Sequence, residues 1–146
     1  MAGDLRVVSS ALKVVTDLER IGDHASDIAE LILRIRGEHI YHVVRHIPGM
    51  AMAAREMVRS AIDAFISQDI TAAKTIEKQD DIVDELFTKV KNDVIDLLKQ
   101  SAEHADQCID LLMIAKYLER IGDHAVNVCE WTEFAKTGAL KNVRIL

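Results

Sequence analysis

The chain has 146 residues, of which 49% are hydrophobic and only 4% aromatic, with one proline and six glycines. That is enough apolar material for a core, and too few aromatic and turn residues for a sandwich or barrel. Eighteen basic against 24 acidic residues leave a formal charge of −6, which excludes a generic phosphate-backbone binder and predicts no nucleic-acid partner. Two cysteines, Cys108 and Cys129, make no disulfide framework and fit a reduced, cytoplasmic compartment. The start reads as having no signal peptide. The most apolar run, residues 28–35, is broken by Glu30 and Arg34, so no membrane span is expected.

Four amphipathic helices are predicted in chain order. The first covers residues 4–36, with Gly37 as a helix stop. A histidine-rich connection over residues 38–47 leads to Pro48, which suits the first turn of a second helix ending near Ser67. Asp69 reads as the N-cap of a third helix reaching about Gln100. In it Ile76, Val83, Phe87, Val90, Val94 and Leu97 keep a helical period and never alternate as a strand would. Ser101 reads as the cap of a fourth helix that runs to Lys136 and stops at Gly138, followed by a loose tail over residues 139–146. The fold class is therefore all-α, an antiparallel bundle of long helices with short connections.

An internal repeat stands out. Leu18-Glu-Arg-Ile-Gly-Asp-His-Ala25 recurs letter for letter at residues 118–125, and beyond it Asp27 and Glu30 are matched by Asn127 and Glu130. A core stripe driven by composition would preserve character, not letters, so the first and fourth helices read as equivalent parts of a duplicated unit.

On a helical wheel at about 100° per residue, Glu19, Asp23, Asp27 and Glu30 fall into one narrow acidic stripe. Leu18, Gly22, Ala25, Ala29 and Ile32 form a separate packing face whose small residues admit a close neighbour. The acidic stripe is thus expected on the flank or outer surface. Like charges at i and i+4 cost roughly 0.2–0.5 kcal/mol per pair, which calls for a compensating cation. A side chain such as Arg20, Lys116 or Arg120 can supply it, and an isolated Glu-x-x-x-Asp is ordinarily a solvated face. Here Asp80 and Asp84 repeat the spacing on the third helix, within a group that includes Glu77 and Asp81. Carboxylates offered by two helices can bridge a hard cation.

Other polar residues read more plainly. His24 and His124 lie just beyond the acidic stripe, as polar helix residues or as further groups near a metal. His39, His42 and His46 share helical spacing and read as polar surface, though such clusters bind zinc opportunistically. Gly22 and Gly122 interrupt their helices at up to about 1 kcal/mol each, and their recurrence implies close helix packing. The cysteines read as small buried residues. The Glu-x-x-His pair of a di-iron bundle, a His-Glu-x-x-His motif, a phosphate loop and a nucleophilic triad are all missing, so no enzymatic activity is expected.

Asp4-Leu-Arg, Asp17 with the first octapeptide, and Tyr117 with the second, followed by Asn127 and Glu130, resemble the PhoU phosphate-signalling regulators. Residues 80–84, Asp-Asp-Ile-Val-Asp, look like the acidic element on that family's intervening helix. The resemblance spans essentially the whole chain. It implies an all-helical regulator linking a phosphate ABC transporter, through its ATPase subunit, to a sensor histidine kinase. Such a protein restrains uptake and the starvation response when phosphate is plentiful, is cytoplasmic, and meets the membrane only through its partners. It also implies metal ligation (Mg, Mn, Fe or Zn, as divalent or trivalent ions) by Glu19 and Asp23, Asp80 and Asp84, Glu119 and Asp123, with Asp27 as an addition. Asn127 lowers the charge of the second site.

Measured against that family, residues 1–37 read as the last helix of a first repeat and residues 38–138 as a complete three-helix second repeat. The helices that would precede residue 4 are missing from this chain, which leaves the face of Leu18, Ala25, Ala29 and Ile32 partly uncovered. A homodimer is expected to cover it, since exposing apolar surface costs roughly 25 cal/mol per Å². The alternatives are a metal-binding or metal-storage bundle, and an oligomerisation fragment without regulatory activity.

Overall fold

The computed structural model describes residues 2–35 and 45–139. They form four helices and, among the described residues, no strand: α1 (Ala2–Arg34), α2 (Ile47–Ser67), α3 (Ile70–Gln100) and α4 (Ala105–Thr137). The expected stop at Gly37, His39 and His42 in the connection, and the tail beyond Ala139 lie outside the described residues.

The boundaries follow local chemistry. Pro48 sits in the first turn of α2, where its missing N–H removes no helical hydrogen bond. At the other end Gln68 adopts a left-handed conformation (φ 55°), and Asp69 accepts a hydrogen bond from the Ala72 N–H at 3.0 Å, capping α3 as its sequence predicts. Gly138, at φ 76°, closes α4 by donating its N–H to the Phe134 carbonyl at 2.8 Å. Ser101 departs from expectation. It is extended (φ −160°, ψ 142°) and closes α3 instead of opening α4. Its hydroxyl accepts from the Glu103 N–H at 3.1 Å, so the local turn takes the oxygen that would have capped a helix, and α4 begins only at Ala105.

The four helices do not share the core equally. α4 packs against each of the other three, whereas α1 touches α4 alone among the described residues. Arg34 pairs with Asp110 at one end and Arg6 lies beside Gly138 at the other, so α1 and α4 run antiparallel along their whole lengths. The Lys136 ammonium donates to the Gln68 carbonyl, which makes α3 antiparallel to α4 and α2 parallel to it.

Helix α4 has almost no polar face over 121–129, where all but Asp123 are buried, as suits a helix enclosed by neighbours. α1 instead buries a single seam at alternating three- and four-residue spacing. Ser10, Val14, Asp17 and Leu31 are buried along it, with Ile21, His24 and Ile28 half-buried between them. No helix among the described residues is long and apolar enough to cross a membrane.

Candidate functional site

The two octapeptides meet at the centre of the α1–α4 seam. Asp17 reaches across to His124, Oδ1 to Nδ1 at 2.9 Å, and the same oxygen accepts from the Asn127 side-chain amide at 3.2 Å. A carboxylate only accepts, so Nδ1 carries the hydrogen. The His124 side chain is 2% exposed and that of Asp17 11%, so the pair sits in low dielectric, where losing one partner is costly.

A second cross-seam contact mirrors the first. The His24 ring lies 5.5 Å from that of Tyr117 and 5.5 Å from that of His124. Tyr117 occupies in the second repeat the place of Asp17, and His124 the place of His24. Asp17–His124 and Tyr117–His24 are therefore one contact seen twice about a local two-fold axis, with the second copy rebuilt as an aromatic stack. Burial lowers the His24 pKa below the ordinary 6.5, with nearby His124 and Arg120 adding to the effect against the opposing pull of Asp27 and Asp23.

The acidic residues lie on three helices. Glu19 and Asp23 are exposed on α1 and Asp27 is half-buried. On α3, Asp80 is buried, while Asp84 is exposed one turn on. On α4, Glu119 accepts a hydrogen bond from Lys116 at 2.6 Å, and the lysine ammonium also lies 5.3 Å from the centre of the Phe87 ring. Asp123 is half-buried. In α1 the position of Lys116 belongs to Thr16, whose hydroxyl donates to the Leu12 carbonyl, so Glu19 has no such cation within its helix. Among the described residues no three His, Cys, Asp or Glu side chains are grouped so as to hold a metal ion.

The repeated glycines part company as well. A Cβ on Gly122 would lie 3.1 Å from Asp80 Oδ1 and close to Val83 and Met57, so the close packing its recurrence implies is real there. A Cβ on Gly22 would meet nothing within 4 Å, which corrects that expectation for α1. The packing face drawn on the wheel is buried as Leu118, Gly122, Ala125, Cys129 and Thr132. In α1, Gly22, Ala25, Ala29 and Ile32 are exposed. Burial pushes the Cys129 thiol up to about 12, with Glu77, Glu133 and Glu130 nearby, so it is inert as a nucleophile.

The wheel did not single out Asp17, His124 and Asn127 as a cross-helix cluster. The signal was present as the seam spacing of Ser10, Val14, Asp17, Ile21 and His24, which places an aspartate and a histidine on a buried line.

This arrangement, a duplicated helix crossing its own copy with an acidic helix beside it, can be set against known proteins. The PhoU domain matches residues 1–32 and 47–132 of the chain. The chain belongs to the PhoU family. It is 38% identical, over 94% of its length, to a phosphate-specific transport system accessory protein PhoU homolog of Clostridium acetobutylicum. The crystal structure of the phosphate transport system regulatory protein PhoU from Streptococcus pneumoniae superposes with a TM-score of 0.90 at 27% identity over 97% of this chain. PhoU from Pseudomonas aeruginosa gives 0.84 at 31% identity over 95%. The chain spans 63% of the Clostridium relative and 67% of each solved chain. Family members of this kind are regulatory accessory proteins and not enzymes.

Proposed function

We propose that this chain acts as a non-enzymatic accessory regulator of phosphate uptake. In this reading it restrains a phosphate ABC transporter, through its ATPase subunit, and the associated sensor histidine kinase when phosphate is plentiful. It works in the cytoplasm and reaches the membrane only through those partners. The observation that carries the reading is the likeness to the Clostridium accessory protein, which extends along 94% of this chain and includes both helices of the repeat. The surface is suited to contact more than to chemistry. The outer side of α1 offers exposed Glu19, Asp23 and Glu30, and the polar seam beneath it is closed by helix packing.

The test is expression of this chain in cells lacking their own regulator, with a phosphate-starvation reporter and co-purification of the transporter ATPase and kinase. Restored repression in high phosphate together with capture of either partner is the expected result. A reporter that stays on, with neither partner captured, contradicts the proposal.

A further inference from the structure

The two copies of the octapeptide bring their histidines together. His24 of α1 and His124 of α4 meet across the seam with ring centroids 5.5 Å apart and planes tilted by 30°. His124 donates its Nδ1 hydrogen to Asp17, so its lone pair is on Nε2. Asp17 and His24 stand two turns apart on α1 with His124 between them. A ring that turns Nδ1 to Asp17 therefore turns Nε2 away from it, to the side of His24. On His24, Nδ1 is buried and has no hydrogen-bond partner among the described residues. Enclosing a polar nitrogen in this way is costly unless a further group uses it.

These are the features of a ligand pair. A metal-bound imidazole commonly gives its other N–H to a carboxylate, which fixes the tautomer and the ring orientation, and Asp17 stands in that relation to His124. With metal–nitrogen bonds of about 2.0–2.1 Å and an angle near tetrahedral, two imidazoles on one ion place their centroids roughly 5–5.5 Å apart. The observed 5.5 Å needs little adjustment. The Tyr117 ring, also 5.5 Å from His24, braces that histidine. Of the charged groups around His24, Asp27 and Asp23 favour a cation and Arg120 opposes it. His24 is only half-buried, which leaves the pair an edge open to solvent.

We infer that His24 and His124 form a two-imidazole site for a divalent transition ion, with Asp17 orienting His124 and water completing the coordination. The ligand type sets this site apart from the carboxylate stripes. Imidazole selects ions such as zinc, nickel and copper, whereas carboxylates suit magnesium and manganese. With two protein ligands the site is weaker than a closed four-ligand one. An ion bound there links α1 to α4 at the point where the two repeats cross.

Calorimetric titration of the full, metal-free chain with Zn²⁺ in the presence of excess Mg²⁺ tests this. One zinc ion per chain is expected. His24→Gln is expected to weaken binding about ten-fold or more, and so is Asp17→Asn, which leaves both imidazoles in place. Zinc should also raise the melting temperature of the parent chain and not that of His24→Gln. Circular dichroism checks that each variant keeps its helices. Replacing His39, His42 and His46 together by Gln is expected to leave the affinity unchanged, and Cys108 and Cys129 are buried and offer no competing thiol. No zinc binding above that of Mg²⁺ overturns the inference. So does binding that His24→Gln leaves intact, or that disappears with the three connection histidines.

Discussion

Residues 18–25 and 118–125 are the same eight letters in two environments. In α4 the octapeptide is enclosed: Leu118, Ile121, Gly122, His124 and Ala125 are all buried. In α1 the same segment has one face on α4 and the rest open, with Gly22, Asp23 and Ala25 exposed. Identical sequence thus gives an identical helix, but neighbours decide which residues become core. Where two helices cover the motif, its glycine is a packing necessity and its histidine a buried donor. Where they do not, the glycine is only a weak helix former, and the histidine stacks at the edge of the seam.

The histidines separate the two environments most widely. Replacing His124 by Ala strands the buried Asp17 carboxylate with only Asn127 as donor, and is expected to lower unfolding stability by about 3 kcal/mol. His24→Ala removes a half-buried ring from a stack and is expected to cost less than about 1 kcal/mol. Urea unfolding of both variants checks the difference, and equal losses would mean that the two seam contacts are equivalent after all. Replacing Asp17 and His124 together by Leu is expected to recover most of the loss, because no unpaired charge is left behind.

A smaller effect concerns pH. The folded chain holds His24 neutral where the unfolded chain, near 6.5, already binds a proton. Its contribution is therefore fully present above about pH 6.5 and is lost as pH falls through the lowered folded value. Melting temperatures measured between about pH 7.5 and pH 5 should fall less steeply for His24→Gln than for the parent chain. Parallel curves would remove His24 from the acid response.

The sequence made the helices and the duplication plain. Alternating apolar spacing, Pro48, Asp69 and Gly138 mark three of the boundaries correctly, because caps and stops are local chemistry. Ser101 misled because a serine hydroxyl serves a turn as readily as a cap, and only the backbone conformation decides between them. The wheel located the packing face of the motif but not which copy would be covered, since cover comes from helices distant in sequence. For the same reason the acidic residues were legible as stripes and not as a site. Their spacing within a helix is written in the chain, whereas the distance between helices is not. Asp17 with His124 shows the limit from the other side, being a contact between residues far apart in sequence, visible beforehand only as two polar letters on a heptad line.

The comparison is tested most directly by making one substitution twice. Ala in place of Gly22 meets open space, so the helix-forming preference acts alone and stability should rise by up to about 1 kcal/mol. Ala in place of Gly122 drives a methyl group to 3.1 Å from the buried Asp80 carboxylate, and the strain should outweigh that preference and lower stability by about 1 kcal/mol or more. Thermal unfolding of the two variants is expected to shift in opposite directions from the parent chain. Shifts of the same sign and size would contradict the claim that the two copies of the motif do different structural work.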